Sequence, residues 1–168
     1  MLDIRHLIYG LRPPVLDDLG LNGAMEELIE RVRQQPGAPH VTLHLPTMPT
    51  LLPAAVEVAV YRIFQEAIHD VVQHAQASIC EVRLEVQAGG KGRAVGQGAR
   101  LMLEVLDNGT GIAAARLSGV GLQSMRERSE ELGGHLVIEQ GADGGTRLRA
   151  VLPIPNARRI DDHFHADC

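Results

Sequence analysis

A chain of 168 residues that is 45% hydrophobic yet only 2% aromatic can bury one core of Val, Leu, Ile and Ala. That suits a layered α/β domain and argues against a base-stacking platform for single-stranded nucleic acid. A net charge of −5 without a basic tract argues against a nucleic-acid partner, and no apolar run is long enough for a membrane span. Cys80 and Cys168 have neither metal-ligand spacing nor a disulfide framework, and the first residues lack a signal-peptide layout, so a reducing cytoplasm is the expected setting.

In chain order, residues 1–10 read as the end of a helix, with Leu2, Ile4, Leu7 and Ile8 apolar, which Pro13 and Pro14 break. A second helix is expected over about 21–35, with Leu21, Ala24, Met25, Leu28, Ile29 and Val32 on one face and Pro36-Gly37 as its stop. Residues 41–45 alternate as a strand, and prolines punctuate the loop that follows. The clearest periodicity predicts a helix over about 54–75, where Val60, Ile63, Phe64, Ala67, Ile68, Val71, Val72 and Ala75 form an unbroken apolar stripe. Glu66, His69, Asp70, Gln73 and His74 lie on its other face.

Strands are expected at 79–86 and 101–106. The stretch between them, AGGKGRAVGQG, lacks the order of a P-loop and reads as a flexible hairpin. A helix over about 122–132 ends at Gly133-Gly134, and 135–139 with 146–152 form a hairpin. The tail after Pro155 is polar. This order, without sustained βαβ alternation, predicts an α+β fold: a two-layer α/β sandwich with a mixed, mostly antiparallel sheet and helices on one face.

Three pieces carry chemistry. Glu66, Asp70 and His74 are spaced four apart on the long helix and so project from one stripe. A carboxylate pair there can hold Mg²⁺ or orient a water as general base, although a solvated helix face has the same pattern. Asp107-Asn108-Gly109-Thr110-Gly111 ends a strand; its Asp can accept a hydrogen bond from an exocyclic amine and its glycines admit a ligand close to the backbone, but an ordinary Asp-Gly turn also reads this way. Gly119-Val120-Gly121-Leu122 enters a helix, where backbone N–H groups make a phosphate site, or simply a loose connection. The order and spacing of the three, more than any one of them, point to nucleotide chemistry.

At these residues the sequence resembles a known family. YRIFQEAIHDVVQHAQAS is similar to the N box of histidine kinases of the nitrate-sensor-like class, LDNGTGI to their first glycine box, GVGLQSMRERSEELGG to their second and GADGGTRLRAVLP to their closing Gly-Thr strand. LRPPVLDDLGLNGAMEEL resembles the join between the dimerisation helices and the catalytic domain of that class. The resemblance covers about residues 11–153 and implies the ATP-binding fold shared with gyrase, the large heat-shock chaperone and the mismatch-repair ATPases. It implies that Asp107 meets the adenine amine, Gly109 and Gly111 shape the nucleotide floor, and Gly119, Gly121 and Leu122 border the phosphates. Thr146 would lie near the adenine, His74 among the nucleotide contacts, and Glu66 would be the candidate catalytic base. The implied lid spans about 113–118.

Two departures bear on these expectations. Where the family has its Mg²⁺-binding Asn, this chain has Asp70, a charged ligand that can hold the metal but sets a negative charge beside the triphosphate, so weakened or more Mg²⁺-dependent ATP binding is expected. The phosphoacceptor histidine of a first dimerisation helix is expected to be absent: His69 is followed by an acid, as in a phosphoacceptor box, but its flanks are those of the N box, and His6 reads as a surface residue. Asp161, Asp162, His163 and His165 read as a solvated tail, and Arg126 and Arg128 as either phosphate contacts or solvent-facing residues.

The expected organisation is a remnant of a dimerisation helix and linker at 1–20, an ATP-binding domain at 21–155 and a flexible tail at 156–168. The expected function is binding of Mg·ATP and, with the rest of a sensor kinase, transfer of the γ-phosphoryl group to a histidine for relay to a response-regulator receiver domain. Taken alone, the chain is expected to be mainly monomeric, to hydrolyse ATP slowly or not at all, and not to phosphorylate itself. The rival expectations are an anti-sigma-type serine kinase on the same fold and a degenerate nucleotide site serving as an interaction module.

Overall fold

The computed structural model describes residues 12–48, 51–88, 98–111, 119–142 and 144–155. The expected first helix (1–10), most of the Gly-rich hairpin, the lid at 113–118 and the C-terminal tail lie outside the described residues. Among those described, the elements run α1 (Pro14–Arg33), β1 (His40–His44), α2 (Ala54–Asp70) continued by a π-helical turn (Val71–Ala75), β2 (Ile79–Gln87), β3 (Arg100–Asp107), α3 (Val120–Glu131), β4 (His135–Gln140) and β5 (Thr146–Pro153).

The strands form one sheet in the order β1-β2-β3-β5-β4. β1 pairs parallel to β2, and the other three pairings are antiparallel. Alternation sorts each strand's residues between two faces. Val41, Val82, Leu84, Leu101, Leu103, Val105, Leu148, Ala150 and Leu152 are buried on the inner face, where they share one core with the apolar sides of the three helices. Glu81, Arg83, Glu104, Arg147 and Arg149 occupy the outer face. There Glu104 Oε2 accepts hydrogen bonds from Arg147 Nε at 2.9 Å and Arg149 Nη2 at 2.8 Å. The expected two-layer sandwich with a mixed, mostly antiparallel sheet is therefore what forms.

α2 is the central helix, and its stripe of Val56, Val60, Ile63, Phe64, Ala67 and Ile68 is buried as the periodicity predicts. Phe64 and Ile63 are wholly inaccessible, each contributing about 1.5–3 kcal/mol by leaving water. Tyr61, on the flank of the stripe, is just 1% exposed, and burial raises its pKa.

The N-terminal helix departs from expectation. It starts at Pro14 rather than near residue 21, because Pro occupies the first helical position, where a missing N–H costs nothing. The element is two helical pieces joined at Gly20, whose φ of 67° and ψ of −178° lie where only glycine rests without strain. The first piece packs Leu16, 2% exposed, into the common core, and Arg12 forms ion pairs with Asp17 and with Glu57 on α2. The apolar spacing of 21–32 reveals the second piece; the first carries too few apolar residues to announce itself.

Candidate functional site

Between α2 and the ends of β3 and α3 lies a cavity of about 380 Å³, within the size range of small-molecule sites. One wall is α2 and its π-helical extension, which contribute Glu66, Asp70 and His74 together with Ala67, Val71 and Ala75. Four residues of regular α-helix overshoot a full turn by about 40°, so side chains spaced by four drift round the helix. The wider π-helical turn at Val71–Ala75 closes on a longer hydrogen bond and opposes that drift, leaving His74 on the cavity wall with Glu66 and Asp70. The turn ends at Gln76 in the left-handed region, φ 51°.

The floor is the inner face of the sheet: Val105 and Asp107 on β3, and Thr146 and Leu148 on β5. Asp107 is 5% exposed. Its Oδ1 accepts a 2.8 Å hydrogen bond from Gly109 N–H, which turns the chain sharply as β3 ends. Its register partner on β2 is Cys80, a fully buried thiol whose pKa is pushed up to about 12 by burial first and by the Asp107 charge second.

The loop after β3 is held by a residue that sequence reading passed over. Asn108 Oδ1 accepts hydrogen bonds from the N–H groups of Ser78 (3.0 Å) and Ile79 (2.9 Å), and its Nδ2 donates to Ser78 Oγ at 3.0 Å. Thr110 N–H then donates to the Ala75 carbonyl at 2.8 Å. Gly109 sits so close to that carbonyl that any Cβ would collide with it. The loop is thereby fastened to the end of the π-helical turn, and the two walls are fixed relative to each other. The only sequence signal for Asn108 is the general taste of Asn for turns, which does not specify this clamp.

The third side is the N-terminus of α3. Gly119 precedes it with extended backbone, and Gly119, Gly121 and Leu122 face the cavity. Gly119 at its N-cap makes no side-chain cap, and the first N–H groups of such an end suit an anion. Glu66 Oε1 reaches across to Gly121, where a Cβ would overlap it.

Of the residues singled out in the sequence, Glu66, Asp70, His74, Asp107, Gly111, Gly119, Gly121, Leu122 and Thr146 all line this one cavity. Gly109 does not; it lies behind the lining against Ala75. Arg126 and Arg128, further along α3, are not among the lining residues either. Thr110, inside the Asp107–Gly111 piece, lines it too, and Val105 and Leu148 line it without having been singled out, because an inward strand residue looks the same whether it meets a ligand or another side chain.

Residues 55–156 match the family of histidine kinase-, DNA gyrase B- and HSP90-like ATPases. The chain belongs to this family. It is 35% identical over 169 aligned residues to the sensor histidine kinase MctS of Rhizobium johnstonii, an alignment covering 98% of this chain and 34% of that protein. It is 31% identical over 155 residues to the oxygen sensor histidine kinase NreB of Staphylococcus carnosus, covering 90% of this chain and 42% of NreB. The chain thus spans well under half the length of these relatives. Its fold is similar to that of the blue-light activated histidine kinase of Erythrobacter litoralis EL346, with a TM-score of 0.62 at 20% identity over 79% of this chain and 40% of that one. It is an ATP-binding domain of the histidine-kinase type, nitrate-sensor-like in class, and among the described residues no helix is long and apolar enough to cross a membrane.

The cavity suits such a nucleotide. It offers apolar surfaces from Val105, Leu148, Val71 and Leu122 for a base, one buried carboxylate to accept from an amine, and a helix N-terminus for phosphates. Mg²⁺ held beside phosphates needs only one or two carboxylates from the protein, and Asp70 with Glu66 on the same wall fits that requirement. Among the described residues, no group of three or more His, Cys, Asp or Glu could hold a metal unaided.

Proposed function

We propose that this domain is the catalytic part of a sensor histidine kinase, delivering the γ-phosphoryl group of ATP to a histidine of its own dimerisation segment for relay to an aspartate of a response-regulator receiver domain. The observation that carries this reading is the convergence of nine expected residues on one cavity in a chain whose relatives are sensor histidine kinases. The setting proposed is the cytoplasm, with any membrane attachment belonging to the whole kinase. Residues 1–20 are read as a remnant of the dimerisation helix with its linker, 21–155 as the ATP-binding domain and 156–168 as a flexible tail.

In this reading Asp107 takes the adenine amine, with Thr146 beside the ring. Gly109 holds the floor from behind, and Gly111 forms part of it. Gly119, Gly121 and Leu122 face the phosphates with the uncapped N–H groups of α3. Glu66, on the cavity wall, would take a proton from the attacking imidazole, while the γ-phosphorus bond to the β–γ bridging oxygen breaks and a phosphorus–nitrogen bond forms. His74 completes the α2 wall. Asp70 would hold Mg²⁺, which supplies charge neutralisation to the leaving diphosphate. The chain's own contribution is positioning and a preorganised field, as phosphoryl transfer requires.

His69 is exposed on the N-box helix and is not the proposed acceptor. Calorimetric titration with ATP, followed by incubation with γ-labelled ATP, tests the reading. Saturable binding with no label retained on the chain alone is expected, with the chain running as a monomer. Acid-labile phosphate on His69 would overturn the assignment of the acceptor, and absence of ATP binding would favour the degenerate interaction module.

A further inference from the structure

We infer that residues 12–19 form a strap, latched onto the first turn of α2 by Arg12 and hinged at Gly20, that opens as a unit while the rest of the domain stays folded. The first support is the latch. Arg12 Nη2 lies 2.7 Å from Glu57 Oε2, in the first turn of α2, and Arg12 Nε pairs with Asp17 inside the strap. One guanidinium thus ties the strap's own helical turn to the neighbouring helix, a two-sided contact that its planar fork allows. The network is incomplete. Arg12 Nη1 is buried without a hydrogen-bond partner among the described residues, and a buried donor left unpaired opposes closure. Asp17 is exposed and Arg12 partly so, which leaves the latch open to screening by salt.

The second support is the bend behind the strap. Gly20 has φ 67° and ψ −178°, a backbone region that is essentially glycine's alone. A Cβ at Gly23 would lie 2.9 Å from the Cβ of Leu19. The closed strap needs both positions bare, the one for its backbone angle and the other for room. The third support is the uneven burial on the two sides of this bend. Of the buried residues of α1, only Leu16 precedes Gly20, whereas Leu21, Ala24, Met25, Ile29 and Val32 follow it. A segment anchored by so little apolar burial belongs to the low-stability end of a domain. None of the strap residues lines the nucleotide cavity, yet Glu57 precedes Glu66 by roughly two and a half turns of the same helix. On the kinase reading above, on which this last step rests, the latch decides whether the segment ahead of residue 12 is held beside that helix or swings from Gly20.

Amide hydrogen exchange of the whole chain without nucleotide tests the inference, in the wild type, Arg12→Gln, Glu57→Gln, the double variant and Gly23→Ala. Amides of residues 16–19 are expected to exchange about tenfold faster in Arg12→Gln, and less so in Glu57→Gln, while those of 24–33 and 56–70 keep their rates. The double variant should match Arg12→Gln, because both changes remove the same contact. Salt at about 0.5 M should bring the wild type to the rate of Arg12→Gln and leave the variant unchanged. Gly23→Ala separates the strap from general stability. Ala favours the helix, so residues 16–19 should open while 24–33 stay as protected as before or gain protection. Faster exchange through all the helices of Arg12→Gln, with a lower melting temperature, would overturn the inference and make Arg12 an ordinary stabilising residue. Unchanged exchange at 16–19 would overturn it as well. ATP titrations of Arg12→Gln and the wild type are expected to coincide, and weaker binding by the variant would contradict a strap that opens apart from the site. Failure of the wild type itself to bind ATP would remove the kinase reading and leave the latch standing.

Discussion

Glu66 and Gly121 meet across the mouth of the cavity, with the carboxylate oxygen of the one resting where a side chain of the other would begin. The atoms in the way of a methyl group at Gly121 belong to the far end of a long side chain, so Gly121→Ala is accommodated by Glu66 swinging aside. Stability should hold or rise slightly, since Ala is favoured over Gly in a helix by up to about 1 kcal/mol. ATP affinity should fall about tenfold as methyl and displaced carboxylate crowd the phosphate side. Gly109→Ala is the contrasting case, because the obstacle there is the Ala75 carbonyl, a backbone atom that cannot swing. That variant should lose about 1–3 kcal/mol and several degrees of melting temperature. Melting curves and ATP titrations of both separate the two outcomes; equal melting losses would refute the distinction.

Asn108 predicts a different failure. Its side chain makes three hydrogen bonds to Ser78 and Ile79, all near the surface, so Asn108→Ala should cost about 1–2 kcal/mol of stability. Because those bonds fasten the loop that carries Thr110 and Gly111, ATP affinity should fall as well, although Asn108 does not line the cavity. Asn108→Asp retains the acceptor oxygen but not the donor to Ser78 Oγ, and is expected to lie between the two. A drop in melting temperature with unchanged ATP affinity would show that the clamp does not reach the site.

The outer face of the sheet gives the chain an acid-sensitive contact. Burial pushes the Glu104 carboxyl up, but hydrogen bonds from Arg149 and Arg147 outweigh it and hold the group below the usual carboxylate range. The Glu104 side chain is 11% exposed, while the two arginines are 38% and 37% exposed, so solvent screening limits the contribution to about 1–2 kcal/mol. A lowered folded pKa means that this stability is present above the ordinary carboxylate value and is lost as pH falls through the lowered one. Melting temperatures of the wild type and Glu104→Gln should therefore differ most at neutral pH and converge below about pH 4. A gap that persists unchanged into acid would refute the ion-pair account.

Cys80 should be silent toward thiol reagents. It is wholly buried between Asp107 and the core, with its pKa pushed up to about 12, so at pH 8 only about one molecule in ten thousand carries the thiolate. In a Cys168→Ser variant, which leaves Cys80 as the one thiol, a disulfide reagent should release no colour from native protein and one equivalent in denaturant. Prompt reaction of the native variant would show that the region beside Asp107 opens readily.

How much of this was legible beforehand follows from what each residue does locally. The α2 stripe was readable because six buried positions, Val56 to Ile68, repeat at helical spacing, and the glycine loop and the α3 entrance were readable because their glycines stand in an order that turns and close approaches demand. The π-helical turn was not, since it depends on how Ala75 meets Gly109 and Thr110, residues more than thirty positions away. The start of α1 at Pro14 was hidden for the opposite reason: Pro13-Pro14 breaks a helix from one side and begins one from the other, and sequence does not say which. Asn108 shows the remaining gap. Its partners, Ser78 and Ile79, are fixed by the meeting of β2 and β3, and nothing within its own neighbourhood encodes them.

The cavity draws its walls from residues 66–75, 105–111, 119–122 and 146–148, segments of α2, β3, α3 and β5 that are far apart in the chain and meet only when these elements pack together. A ligand that binds the folded chain and not the unfolded one therefore acts on the folding equilibrium. At a hundred times its dissociation constant a bound nucleotide adds about 2.7 kcal/mol to the domain. Occupancy of the site and resistance of the chain to proteolysis are therefore linked: a cell low in nucleotide would hold this domain in a more open and more perishable form.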